Sequence, residues 1–419
     1  MERYDSYKDS GVQWLGEIPS HWEVNRFGSY FTERRVKVSD KDYAPLSVTK
    51  NGILPQLENV AKSNDSNNRK LVKAGDFVIN SRSDRKGSSG VSSLDGSVSL
   101  INIVLKPRKG IVPAFCNYLL KSYCFIEEYY RNGRGIVADL WTTRFDEMKL
   151  IKLAVPTIDE QNAMVAHLDA ATSKIDEAIA QQQKMIDLLK ERKQIIINNA
   201  VTKGLNPNVK MKDSGVEWIG EIPEHWTVIA LKRLGSINKT LVNPQNRPEM
   251  SWYEYSMPAY DDGKFPNMVL GSNIDSTKIS LTQPTLLINK LNVHKKRIWF
   301  VSCPEENSVA STEFVPITIT KGNPFFVEYI LKSDKITTFL INNSNGATNS
   351  HKRVSPDIIM GIKIPLPPEE EQSDIVEYIN SIIAPIDMAT DNCNKQISLL
   401  QERKQIIINE VVTGKVKVS

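Results

Sequence analysis

A chain of 419 residues exceeds what one hydrophobic core usually serves, so at least two domains are expected. Apolar residues at 40% and charged residues at 24% describe a folded chain rather than a disordered or fibrous one. The net charge of +4, from 53 basic and 49 acidic side chains, permits nucleic-acid binding without arguing for it, so any basic surface must be local. No apolar run reaches the roughly 18–20 residues of a membrane span, and Met1–Asp5 does not read as a signal peptide; a cytoplasmic protein is expected. Cys116, Cys124, Cys303 and Cys393 form no C-x-x-C pair, which predicts reduced thiols and neither a disulfide framework nor a zinc site.

In chain order the first motif is Lys8–Val24, KDSGVQWLGEIPSHWEV, and it returns as Lys212–Val228, KDSGVEWIGEIPEHWTV. Thirteen of these 17 positions are identical at an offset of 204. VPTIDEQ (Val155–Gln161) returns as LPPEEEQ (Leu366–Gln372), and LLKERKQIIINNAVTKG (Leu188–Gly204) as LLQERKQIIINEVVTGK (Leu399–Lys415), both at an offset of 211. Three matches in one order make the chain two copies of one unit. Residues 25–150 and 229–362 diverge between the copies, and the growth in offset from 204 to 211 places seven extra residues in the second block. Fixed ends around a changed middle imply one scaffold presenting two faces. Trp14, Pro19, His21 and Trp22, answered by Trp218, Pro223, His225 and Trp226, read as a local packing or docking cluster rather than as metal ligands.

The divergent blocks alternate short β-branched or aromatic runs with polar turns, at 76–80, 99–105, 285–289, 297–301 and 316–320, which predicts α+β domains. Four loops carry the positive charge. Loop 80–91 holds Arg82, Arg85 and Lys86; loop 131–144 holds Arg131, Arg134, Thr143 and Arg144. Loop 290–297 holds Lys290, Asn292, Lys295, Lys296 and Arg297, and loop 342–353 holds Asn345, Thr348, Asn349, His351, Lys352 and Arg353. Arginine and lysine suit phosphates or guanine, and Asn suits adenine, so these loops are the candidate DNA contacts.

After each boundary the pattern predicts a long helix. The seam expected in the first copy is Met164, Leu168, Ala171, Ile175, Ala178, Met185, Leu189, Ile196 and Ala200, the steps of a coiled coil. The same frame persists 211 residues on. Pro385 is expected to start a fresh helix after a short one over 370–383, leaving a rod of ~40 Å to Val411 at about 1.5 Å per residue. Catalysis finds little support. There is no phosphate loop and no G-x-G-x-x-G; Asn323–Phe326 lacks the second proline of an N-P-P-[FY] box. Glu191-x-Lys193 and Glu402-x-Lys404 read as helix-face charges. Neither cofactor nor metal is expected.

The K-D-S-G-V-x-W-x-G-E-I-P-x-H-W opening, the P-x-x-x-E-Q boundary and the E-R-K-Q-I-I-I-N helix end resemble the specificity subunit of type I restriction–modification enzymes, in order over the whole chain. The resemblance implies two target-recognition domains, 1–156 and 209–367, separated by helical spacers 157–208 and 368–419 that form an antiparallel coiled coil with pseudo-twofold symmetry. It implies a non-catalytic chain that reads a bipartite, asymmetric site in double-stranded DNA and recruits two methyltransferase subunits, and through them restriction–translocase subunits. A two-domain protein-interaction scaffold with no specific DNA readout is the alternative.

Overall fold

The computed structural model describes residues 2–56, 67–135, 141–345 and 352–418. The chain divides into two compact units, one of Met1–Gln183 with Asn394–Ser419 and one of Lys184–Cys393. Its mixed strand and helix content agrees with the α+β expectation.

In the first unit the hairpin Tyr7–Asp9 with Glu17–Pro19 leads into strand Glu23–Arg26, which pairs with Lys152–Val155 at the far end of the divergent block. Between them an antiparallel sheet runs Ser89–Val91, Phe77–Asn80, Asn102–Pro107, Phe31–Glu33. Phe77, Val78 and Ile79 are fully buried, as a strand covered on both faces requires. Helices α1 (Pro113–Lys121) and α2 (Tyr123–Arg131) pack their apolar sides into the same core as Phe27, Phe31 and Tyr129.

The second unit repeats this plan with different residues. Its sheet runs Ile298–Val301, Thr285–Asn289, Phe314–Ile319, Gly235–Ile237, the same order of equivalents. Helices α4 (Pro324–Leu331) and α5 (Asp334–Asn342) follow it, and Asn323 caps α4 through the backbone N–H of Phe325. The units differ beside that sheet. The first has a three-stranded sheet and a hairpin, whereas the second has a five-stranded sheet containing the parallel pair Ser251–Tyr255 with Ser308–Ala310. The expected strand at 99–105 begins later, at Asn102, because the Asn102 amide bonds back to the Ser99 carbonyl and turns the chain there. Leu100 and Ile101 are left exposed.

The repeated motifs explain one another. His21 Nε2 lies 2.8 Å from Glu160 Oε1 and Trp22 Nε1 donates to the same oxygen; His225 and Trp226 do the same to Glu371 Oε2. The neighbouring glutamines are buried: Gln161 accepts from Val112 N and donates to Gly110 and Pro156 carbonyls, and Gln372 accepts from Asn323 N and donates to Pro367. The H-W and E-Q pairs therefore fasten the opening hairpin and the helix start together. A third repeat piece closes each clamp, since Gly414 and Gly204, both with positive φ, sit against Trp22 and Trp226.

Two long helices follow the boundaries, α3 (Ile158–Lys203) and α6 (Glu369–Val412). The helix break expected before Pro385 does not occur; Pro385 lies inside α6. Its ring is exposed, as is Ser381, whose carbonyl loses its usual partner and can take water instead. The seam also differs from expectation. Met164, Ile175, Ile186 and Ile197 are buried at intervals of 11, while the expected Met185 is 50% exposed. The equivalents in α6 are Ile375, Ile386, Ile397 and Ile408, of which Ile397 is half-buried and the others buried. Eleven residues over three turns give ~3.67 per turn, closer to a straight helix than a heptad is, so the frame slips by one after Gln182.

Candidate nucleic-acid interface

In the first unit the predicted loops meet. Thr142 forms bridges to both Arg82 and Arg134, with Thr142 N donating to Arg134 O at 2.9 Å and Ser83 N donating to Trp141 O at 3.0 Å. Thr143, expected as a contact, is buried: its hydroxyl donates to Tyr129 O and its carbonyl accepts from Tyr129 Oη. It pins the loop rather than facing a ligand. Asn80 sets the turn by accepting from Arg82 N, and Tyr130 Oη donates to the Asn80 carbonyl.

Arg82, Arg85, Lys86, Arg131, Arg134 and Arg144 are exposed. Lys86 pairs with Glu127 at 2.6 Å, Arg131 with Glu128 at 2.5 Å, Arg134 with Glu147 at 3.6 Å and Arg85 with Asp84 at 3.7 Å. Arg82 and Arg144 form no ion pair or side-chain hydrogen bond among the described residues, although the Arg144 charge helps to lower the Asp146 carboxyl. Both line a cleft of about 550 Å³ together with Arg35, Lys37 and Lys70, three cations that loop composition did not single out. For Arg35 and Lys37 the available signal was the run Arg34-Arg35-Val36-Lys37; Lys70 lies apart from it. Glu33 holds Arg35 at 2.6 Å and Lys70 at 3.2 Å, and this bond raises the Arg35 guanidinium above its ordinary value. Lys37 adds a cation without a partner among the described residues.

The second unit builds the same stitch from other side chains. Arg353 bridges Leu291 and Asn345, and Asn292 N donates to Lys352 O at 3.1 Å. Asn289 accepts from Leu291 N at 2.6 Å, as Asn80 does from Arg82. By position Thr142 corresponds to Arg353 and Arg134 to Asn345, at the offset of 211. Arg353 is exposed and takes Glu313 through two nitrogens, at 2.8 and 3.1 Å. Lys290, Lys295 and Lys352 carry no side-chain bond among the described residues. Thr348, Asn349 and His351 lie outside the described residues.

Loop 290–297 divides in two. Asn292 and Lys296 take positive φ, 55° and 48°, on either side of a single turn, a conformation that costs a non-glycine residue about 1 kcal/mol or more. Lys296 pairs with Asp334. Arg297 is buried with Nε 2.8 Å from Asp261 Oδ1, a bond that raises the guanidinium and lowers the Asp261 carboxyl. These two are held within the unit, leaving Lys290 and Asn292 nearest the Arg353 stitch.

Fold and site together describe an internally duplicated α+β protein in which one loop scaffold, tied to two long helices, carries two different sets of polar side chains. A Methanocaldococcus jannaschii chain provisionally named as the MjaX specificity subunit of a type I restriction enzyme is 24% identical over 96% of this chain and 96% of its own length. The StySPI specificity subunit of Salmonella potsdam is 20% identical over 95% of this chain and 90% of its own. A solved chain from work on assembly and conformational transition of the type I R-M system superposes with a TM-score of 0.67 at 14% identity, covering 95% of this chain and 99% of that one, which shows a shared fold. No family model matches. The resemblance drawn from the repeated motifs is borne out: the relatives that this chain matches over nearly its whole length are named type I restriction enzyme specificity subunits. No helix among the described residues is long and apolar enough to cross a membrane.

Proposed function

We propose that this chain is the non-catalytic, DNA-reading subunit of a type I restriction–modification assembly, working in the cytoplasm. Each target-recognition domain, 1–156 and 209–367, reads one half of a bipartite duplex site, and the helical segments 157–208 and 368–419 receive two methyltransferase subunits for adenine methylation, and through them the restriction subunits. One observation carries the reading: the two units hold the same stitched loops but place Arg82, Arg134 and Thr142 where the other has Leu291, Asn345 and Arg353. A scaffold kept while its exposed polar atoms change is what two different base sequences demand. For partner recruitment the support is apolar surface on the helices. Leu188 and Ile195, and their equivalents Leu399 and Ile406, are 51%, 53%, 64% and 48% exposed, which free helix faces seldom tolerate.

Genome-wide methylation mapping of cells carrying the partner subunits, with and without this chain, tests the function. Methylation at a split sequence only when the chain is present is expected. Arg82→Ala with Arg134→Ala should relax one half of that sequence, with each lost base contact costing ~1–3 kcal/mol, and spare the other half. An equal loss at both halves would show that these arginines are general phosphate contacts.

A further inference from the structure

The second unit holds another cleft, of about 480 Å³, lined by Lys193, Lys264, Lys295, Lys296 and Lys332 with only two carboxylates, Glu328 and Asp387. The lining therefore carries a formal surplus of three positive charges. Lys332 is bonded to Glu328, Lys193 to Asp387 at 2.6 Å, and Lys296 to Asp334, which is not part of the lining. Asp261, outside the lining, is taken by Arg297. Lys264 forms no ion pair with a carboxylate among the described residues, and Lys295 none either, although its charge helps to lower the Asp261 carboxyl. Lys264 is held in a left-handed backbone, φ 61°, with Nζ 5.2 Å from the centre of the Tyr260 ring. Burial pushes the Lys332 ammonium below its ordinary value; Glu328 opposes this, while Lys264 and Lys193 add to it. The Lys193, Lys264 and Lys332 charges thus act on one another across the cleft.

The first unit supplies a control. Its equivalent cleft contains Tyr118, Lys121, Asp176 and Lys404, each 211 residues from Tyr329, Lys332, Asp387 and, in reverse, Lys193. Its lining holds Lys50, Lys121 and Lys404 against Asp169 and Asp176, a formal surplus of one. There Lys121 donates to the Lys50 carbonyl and Lys404 bonds both oxygens of Asp176. The shared scaffold does not need the surplus, so the surplus belongs to what the second cleft binds. Converging ammonium groups repel one another unless an anion joins them, and lysine serves phosphate as a compact point charge.

We infer that the Lys264–Lys295 cleft of the second unit binds a phosphoryl group, either of a DNA backbone or of a free phosphate-bearing small molecule. For the DNA source the inference rests on the recognition reading; for the free source it stands without it. The test is calorimetric titration of the full chain with pyrophosphate, alongside Lys264→Gln/Lys295→Gln and, as a control, Lys50→Gln in the first unit. Salt-sensitive binding is expected, weakened about tenfold or more by the double substitution and unchanged by the control. No binding by the unaltered chain, or equal binding by the double variant, would overturn the inference. Displacement of pyrophosphate by a duplex of arbitrary sequence identifies the backbone as the source; retention identifies a free ligand. Methylation mapping keeps the two readings apart, because Lys264→Gln alone, which lies outside the candidate DNA loops, should leave the methylated sequence unchanged. A failed recognition reading would instead show no sequence preference even in the unaltered chain.

Discussion

At the scale of single residues the repeated motifs are a clamp, and its atoms make specific demands. A Cβ at Gly414 would meet Pro19 Cδ at 2.5 Å on a backbone of φ 72°, whereas at Gly204 the nearest atoms are Glu371 Oε1 at 3.0 Å and Trp226 Cζ2 at 3.2 Å. Both alanine variants bear the left-handed cost of ~1–2 kcal/mol, and only Gly414→Ala adds a clash with a rigid ring. Urea unfolding should find Gly414→Ala the more destabilised of the pair; equal losses would mean the Pro19 contact relaxes freely. The carboxylate of the first clamp has a pH signature. Burial opposes the Glu160 charge, but bonds from His21, Thr157 N–H and Trp22 outweigh it, so its carboxyl titrates below the ordinary value. A depressed carboxylate stabilises the fold above its unfolded value of ~4.3 and loses that contribution as pH falls through the folded value. The stability gap between the unaltered chain and Glu160→Gln should therefore narrow on acidification below about pH 4. A gap that is constant with pH would mean that the contact is steric.

At the scale of elements the helices were the most legible feature and the easiest to misalign. Their existence follows from apolar residues recurring every three or four positions, and α3 and α6 are present as unbroken helices. Over 40 residues, however, heptad and 11-residue frames differ by only a residue or so, and both choices at 185–186 are apolar. Burial decides: Ile186 is 2% exposed and Met185 50%. Ile186→Ala should cost ~2–4 kcal/mol and Met185→Ala within about 0.5 kcal/mol in chemical denaturation, and the reverse order would restore the heptad frame. Pro385 misled for a similar reason, since a helix interior rejects proline where the freed carbonyl is buried, and here that side of α6 is exposed. Lys193 and Lys404, legible only as helix-face charges, each bond an aspartate on the other long helix, Asp387 and Asp176. Those aspartates are themselves repeat equivalents, so the two bonds are one interaction with the copies exchanged.

For the whole molecule the duplication makes a prediction that neither copy makes alone. If each domain reads its own half, exchanging residues 25–150 for the corresponding block of a relative should replace one half of the methylated sequence and leave the other intact. Methylation mapping of such chimaeras checks this; a change in both halves would mean that the domains read jointly. The candidate contacts were partly visible in the chain as Arg- and Lys-bearing loops between strands. Composition could not tell that Arg297 and Thr143 are buried and used internally, or that Arg35, Lys37 and Lys70 join Arg82 and Arg144 in one cleft.

By itself the sequence determined that the chain is a duplication with a constant frame and a variable middle, because repeats and apolar periods are local properties readable in one dimension. Tertiary structure alone decided which charges are free. An arginine's role depends on whether a carboxylate many residues away reaches it, as Asp261 reaches Arg297 and nothing among the described residues reaches Arg82. That pairing is set by packing, over distances in sequence that no local pattern records.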